Sequence, residues 1–510
     1  MLYPIHNQLI LNPADVPAET YSTLFFSLMP KLDSTRSAVI LGVPFHDVTL
    51  NETIARLASV IEHRDPVYWA TANLDFAYQA SVDVELQRIL VESDLVLCDG
   101  KPLVWASRMI GAPLREPVAS SDLMPRIAQE AAARGWKVFL LGGGQDALAA
   151  ALIKLRARYS NLQVDGYSSP YAQLLEIDFE NISTRIAAAK PDILLVAFGC
   201  PKQEKWIYIN HRRLGVPMCV GIGATVDLLG GKFRQAPRWM KIVGAEWLFR
   251  LRQEPRRLFN RYLIDLLFFV RALRAQRRAL SPNTPAPSTS EAVVSAAPVL
   301  NTDIRTIVWR GRIDTAAISS GQVPAPAADL PPGGVVALDL SDVTFIDSTG
   351  LGFLLSGYRR SIASGGGLVL VRPSSAVTGL VAAMKLDRIL PVVEEAARAR
   401  AALGLTAPAR TNTAAAEDLV LSIQGELTAT RVPGLSRWIE QAWSARTDAT
   451  RLVLDLSAVR FMDSSGLGLL IQSHRLAAAR SGSKLVLRQP SENVRNVLRL
   501  AKVDGVLNIE

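Results

Sequence analysis

Cysteine is scarce in this 510-residue chain: Cys98, Cys200 and Cys219 are the whole complement, and none forms a Cys-x-x-Cys or Cys/His cluster. That excludes a disulfide scaffold and a structural zinc site, and fits a reducing, cytoplasmic setting. Long apolar runs are missing too. No stretch of about 18 consecutive apolar residues occurs, and the nearest candidate, 263–270, is short and carries Asp265, so no spanning helix is expected. The text from Met1 to His6 has no basic run followed by an apolar stretch, and does not read as a signal peptide. Disorder is excluded as well, because 49% of residues are hydrophobic and only 20% charged.

What is present divides the chain. Its length calls for two to four domains. Residues 1–35 read as an extended opening segment without an assigned role. From Ser37 to about Ile222, buried apolar runs (38–43, 67–70, 95–98, 137–141, 193–198 and 218–221) alternate with helical patterns such as 85–92, 122–134 and 146–159. That rhythm predicts an α/β fold with a mostly parallel sheet covered by helices. A Pro/Ser/Ala-rich stretch at 281–303 and an Ala/Thr-rich one near 406–416 read as linkers. Between and beyond them the chain repeats itself: the text from Asp339 to Gly352 realigns with that from Asp455 to Gly468, each after an apolar strand. The period is domain-sized, so this is a duplicated domain rather than a solenoid.

Four clusters in the first half fall near the C-terminal ends of expected strands, where open parallel sheets bind ligands. They are Thr71-Ala72-Asn73, Asp99-Gly100, Gly142-Gly143-Gly144 before a helix, and the run from Phe198 through Gln203 and Glu204. Each alone is ordinary turn chemistry. Together, and in this order, they resemble the WecG/TagA/CpsF family of glycosyltransferases, glycosyltransferase family 26. The same resemblance continues through Gly221 to Asp227, Ala236-Pro237-Arg238-Trp239 and the Glu-Trp-x-x-Arg-x-x-x-Glu-Pro-x-Arg block from Glu246 to Arg257, covering about residues 37–275.

The resemblance implies a Rossmann-like transferase domain. It implies inverting transfer of a hexose or N-acetylhexosamine, N-acetylmannosamine-like, from a UDP-sugar to a polyprenyl-diphosphate-linked acceptor in cell-surface polysaccharide synthesis. Asp99 is then the general base, since an ionised carboxylate can collect the proton of the attacking hydroxyl. Thr71, Asn73 and Gln203 would line the sugar and acceptor pocket beside Gly100 and Glu204. The Gly142–Gly144 turn would support the donor diphosphate. No Asp-x-Asp pair stands out, so neither metal nor other cofactor is expected. One departure counts against full activity. Where the family carries Glu-Arg-Val-x-Gly-x-Asp-Leu, this chain has Pro117 for the arginine and Ser120 for the glycine. A proline cannot supply a guanidinium's donors, and Arg115 is the nearby substitute. The alternative reading is therefore a weakened transferase serving as a signalling scaffold.

The formal net charge of +9 is concentrated in one place: between Lys232 and Arg278, thirteen Lys/Arg stand against three acids, interleaved with Trp239, Trp247, Phe249, Phe259, Tyr262, Phe268 and Phe269. This reads either as an amphipathic helix packed on its domain or as an interfacial segment on an anionic membrane surface. No nucleic-acid motif accompanies it. By resemblance, Arg250, Arg257 and Arg261 of this appendage would face the acceptor diphosphate, with Arg257 and Arg261 sharing a helical face. A peripheral position at the inner face of the cell membrane follows.

The two repeats resemble STAS domains, the fold of anti-sigma factor antagonists, through Asp347-Ser348-Thr349-Gly350 and Asp463-Ser464-Ser465-Gly466. The resemblance makes Ser348 and Ser464 phosphorylation candidates, with a serine kinase or anti-sigma-like protein as partner. A serine at a helix start also serves simply as a cap. The expected order is a transferase domain at 1–280 with a basic appendage at about 232–278, a linker at 281–303, STAS domains at 304–405 and 417–510, and a linker at 406–416 between them. Homo-oligomerisation stays open.

Overall fold

The computed structural model describes residues 35–281, 304–403, 411–412 and 418–510, apart from 173, 175–176, 234–235, 238–239, 241–244, 328–329, 332, 429–430, 447, 481–482, 501–502 and 504–506. The opening segment, nearly all of both expected linkers, Arg238 and Trp239 lie outside the described residues.

The first expected strand, 38–43, is two. β1 (Ser37–Ile40) and β2 (Val43–His46) form an antiparallel hairpin. Leu41 and Gly42 turn the chain at φ 52° and 86°, a conformation that Gly42 supplies readily inside an otherwise unbroken apolar run. The main sheet follows with β3 (Val67–Ala72), β4 (Leu95–Cys98), β5 (Lys137–Gly142), β6 (Gln163–Tyr167), β7 (Ile193–Ala197) and β8 (Met218–Gly221). Its order is β4-β3-β8-β7-β5-β6, with every pairing parallel.

Strand residues alternate between two cores, as the two-residue period requires. Tyr68, Ala70, Val96, Phe139, Leu194 and Cys219 pack on one face, and Trp69, Leu95, Leu97, Leu140, Leu195 and Val220 on the other. Helices cover both faces, which is why the strands read as continuous apolar runs. The basic appendage forms two helices, Glu246–Gln253 and Pro255–Leu280. Among the described residues no helix is long and apolar enough to cross a membrane.

The repeats fold alike. The first has β9 (Ile304–Ile313), β10 (Val335–Ile346), β11 (Gly367–Val371) and β12 (Val392–Val393) in the order β12-β11-β10-β9, all parallel. The second has β13 (Thr411–Asn412), β14 (Asp418–Leu427), β15 (Arg451–Met462), β16 (Lys484–Arg488) and β17 (Asn508–Ile509) in the order β13-β14-β15-β16-β17. In each, the aspartate of the Asp-Ser turn caps the next helix: Asp347 accepts from Gly350 N at 2.7 Å, and Asp463 from Gly466 N at 3.0 Å. Glycine is required at both positions. A Cβ at Gly350 would strike the Ile313 carbonyl, and one at Gly466 would strike Leu427.

Both repeats dock on the transferase domain. The helix Ser348–Ala363 lies against β1, so closely that a Cβ at Gly352 would strike the Ser37 carbonyl. At this seam Gln276, from the long appendage helix, is fully buried. Its amide receives the Leu41 N–H at 2.9 Å and donates to the Val39 carbonyl at 2.7 Å and to Ser348 Oγ at 3.0 Å. Gln87 donates to the carbonyls of Gly42 and Met384, and Arg359 donates to the Ser93 carbonyl. The second repeat meets the helix Val84–Glu92: Arg88 pairs with Glu92 at 2.7 Å and with Glu426 at 2.6 Å, and stacks over Phe461.

Candidate active site

The site assembles beyond the C-terminal ends of β3, β4, β5 and β7. Asp99 follows β4, its N–H bonded to the Ala72 carbonyl at 2.9 Å. Gly100, at φ 128°, then starts the helix Lys101–Met109. Asp99 is part-buried, and its Oδ2 accepts from both the N–H and the hydroxyl of Ser120, at 3.3 and 3.2 Å. Burial pushes its carboxyl up to about 6. The negative charge of Glu246 adds to that rise, while the Ser120 donors and the Arg250 guanidinium pull it back. A carboxylate with that proton affinity is matched to base chemistry near neutrality.

The glycine turn after β5 is crowded by design of its neighbours. Gly142 and Gly143 adopt φ 94° and 79°; a Cβ on the first would enter the Phe198 ring, and on the second Val226. Gly144 then opens the helix Gln145–Arg158, whose exposed first amides have no side-chain cap. Such a start offers N–H donors and a positive dipole end to a diphosphate.

Other expected site residues have different work. Thr71 is buried within β3 and donates to the Gly221 carbonyl at 2.8 Å. Asn73 caps the helix Leu74–Val82, accepting from Phe76 N. Gln203 does not face a pocket: it is 1% exposed, its Oε1 accepts from the N–H groups of Gly199 and Gly223, and its Nε2 donates to Glu204 at 2.6 Å. It is a strut joining two loops, because both amide ends are consumed. Glu204 is fully buried, with burial holding its carboxyl up at about 7 and its Oε2 lacking a hydrogen-bond partner.

Arg115 does not replace the missing arginine. Its guanidinium is committed to Glu52, at 2.6 and 2.7 Å, and to Asp47. The three appendage arginines part company. The Arg250 charge lowers the proton affinity of Asp99, Arg257 is exposed and pairs with Glu254 at 2.6 Å, and Arg261 reaches buried Asp75 at 2.6 Å. Asp265, buried next to Asp75, has its carboxyl pushed up to about 7.

The two phosphorylation candidates differ. Ser348 is fully buried against Gln276, so in this arrangement it is closed to a kinase, a correction to the expectation that both serines are available. Ser464 is part-buried, and its N–H and hydroxyl donate to the two Glu85 oxygens at 2.8 and 2.9 Å. Glu85 also pairs with Lys205 at 2.9 Å. Sequence reasoning missed Asp75, Glu85, Lys205, Thr225 and Gln276. Of the residues around the site, Glu246, Ser120 and Thr225 carried a signal, as members of recognised blocks.

Residues 38–282 match the profile of the glycosyl transferase WecG/TagA/CpsF family. An N-acetylglucosaminyldiphosphoundecaprenol N-acetyl-beta-D-mannosaminyltransferase of Bacillus subtilis (strain 168) is 30% identical over 222 residues, spanning 43% of this chain and 85% of that protein. The chain belongs to the WecG/TagA/CpsF family. A protein of the same name from Bacillus spizizenii is 26% identical over 240 residues, 47% of this chain and 91% of that one. This WecG/TagA/CpsF member is a glycosyltransferase. Residues 320–393 and 407–510 match STAS profiles. A solved anti-sigma factor antagonist, SpoIIAA in its unphosphorylated form, is 25% identical, covering 20% of this chain and 87% of its own, with a TM-score of 0.18. The STAS assignment rests on the profiles and on the duplicated sheet.

Proposed function

We propose that this transferase moves N-acetylmannosamine or a related hexose from a UDP-sugar to a polyprenyl-diphosphate-linked sugar, with inversion, and that Asp99 is the base. The observation that carries this reading is the Asp99 carboxyl, part-buried beyond β4, held by Ser120, and with its proton affinity raised to about 6 by burial. The relatives' printed name, an N-acetylglucosaminyldiphosphoundecaprenol mannosaminyltransferase, supports the acceptor class. The uncapped helix start after Gly144 supports the donor diphosphate. Arg250 serves the acceptor diphosphate; Arg261 does so only if it leaves Asp75.

The appendage supports docking on an anionic leaflet. Phe259, Leu263, Leu266 and Leu267 are each about half exposed on one face of its long helix, with Trp247 and Leu248 on the helix before. Apolar side chains among many arginines suit the headgroup boundary, where each cation contributes about 1 kcal/mol.

The STAS pair acts as a governor. A phosphate on Ser464 would set its negative charge against Glu85 and release the second repeat. Pro117 and the commitment of Arg115 to Glu52 favour a second reading, a transferase of reduced activity kept as a scaffold.

The test is incubation of the full chain with UDP-N-acetylmannosamine and a lipid-diphosphate N-acetylglucosamine. Asp99→Asn is expected to lower transfer by about 100-fold or more. Undiminished transfer by Asp99→Asn removes it from the mechanism, and donor binding without turnover by the natural chain favours the scaffold.

A further inference from the structure

Ser120 opens the helix Ser120–Arg134, twenty-one residues beyond Asp99 in the chain yet in direct contact with it. Its N–H and hydroxyl both reach the same oxygen, Oδ2, at 3.3 and 3.2 Å. Behind it stands Thr225, 4% exposed, whose Oγ1 is 3.1 Å from Ser120 Oγ. Proton counting fixes the direction of this chain. An ionised carboxylate only accepts, so the single Ser120 hydroxyl proton goes to Asp99, and Thr225 must donate to Ser120. No described residue is hydrogen-bonded to the other oxygen, Oδ1.

We propose that Ser120, held by Thr225, is a positioning residue for the base: it occupies Oδ2 of Asp99 and leaves Oδ1 to take the acceptor's proton. The inference rests on the reading of Asp99 as base and adds the residues that aim it. A hydroxyl donated to the ionised form also lowers proton affinity. Burial and the Glu246 charge push the other way, while Arg250 pulls in the same direction as Ser120. Cys98, adjacent on β4, is neutral because burial and the Asp99 charge hold its thiol far above the usual range. Lys101, two residues on, and these neighbours are unchanged by substitution at 120.

The proposal is tested on the full chain by following kcat/KM against pH, with UDP-N-acetylmannosamine and a lipid-diphosphate N-acetylglucosamine. Activity should rise with pH as Asp99 ionises. Ser120→Ala, which loses the hydroxyl but keeps the N–H, is expected to move this acid limb upward by about half a pH unit or more. Ser120→Gly should do the same and serves if the alanine variant does not fold. Thr225→Val should move it less, in the same direction, and Ser120→Thr, which keeps a hydroxyl, should leave it near its natural position. A rate lowered by one factor at every pH, or an unmoved limb in both Ser120→Ala and Ser120→Gly, overturns the proposal. With Asp99→Asn inactive, that result removes Ser120 alone; with Asp99→Asn fully active, the base reading falls and this one with it.

Discussion

The two STAS repeats share a motif, the order of four parallel strands and a capped helix, yet their faces toward the transferase differ. In the first repeat the seam is interlocked: Ser348 is fully buried and bonded to Gln276, and Gly352 lets its helix touch the Ser37 carbonyl. In the second, Ser464 is part-buried and held by one carboxylate, and nothing lies within 4 Å of where a Cβ at Gly468 would sit. Duplication has thus produced a module that serves as part of the enzyme's own wall and another held by polar contacts. A serine buried in an interlocked seam resists regulation by added charge, whereas a carboxylate–hydroxyl contact near solvent invites it.

The largest expected effect tests this contrast directly. Ser348→Asp buries a carboxylate beside Gln276 and should destabilise the folded chain by roughly 3–5 kcal/mol, seen in denaturant unfolding. Ser464→Asp meets Glu85 near solvent and should leave global stability within about 1 kcal/mol. Its effect should appear as faster amide exchange in the helices Val84–Glu92 and Ser464–Ala478. Equal losses from both variants would erase the distinction.

Next in size is the glycine pair. Gly352→Ala forces the Ser348–Ala363 helix away from β1 and should cost about 1–3 kcal/mol. Gly468→Ala enters open space on a helix and should be neutral or stabilise by about 0.5–1 kcal/mol. Thermal unfolding of the two variants separates them.

The smallest effect concerns pH. Burial raises the folded-state carboxyl of Glu204 to about 7 from an ordinary 4.5. Its neutral form is thereby favoured in the folded chain, so its contribution is fully present below about pH 4.5 and is lost as pH rises toward 7. Melting temperature should fall over that interval, and Glu204→Gln should flatten the fall. With Asp99 as the proposed base, catalysis is expected to run the other way, because its carboxyl loses its proton through about pH 6.

Much of the parallel sheet was legible because buried strands are apolar runs, and β4 and β8 fell where expected. β6, Gln-Val-Asp-Gly-Tyr, was not, because it is an edge strand with exposed polar positions. The hairpin was read as one strand because Gly42 is the lone turn signal in an apolar stretch. Asp99 could be singled out by its motif, but its contact with Ser120 spans a distance in sequence that no local pattern encodes. Gln276 and Gln87 are further cases: amides at ordinary helical positions reveal nothing until a second domain arrives to use them.

The long appendage helix, Pro255–Leu280, has 26 residues and so extends about 39 Å. Near its beginning Phe259 and Leu263 face outward, and near its end Gln276 grips both the first hairpin and Ser348. One stiff rod therefore joins the surface proposed to dock on lipid to the domain seam. Tilting it at one end must strain the other, so the proposed adsorption to a bilayer would be mechanically coupled to the seating of the first repeat.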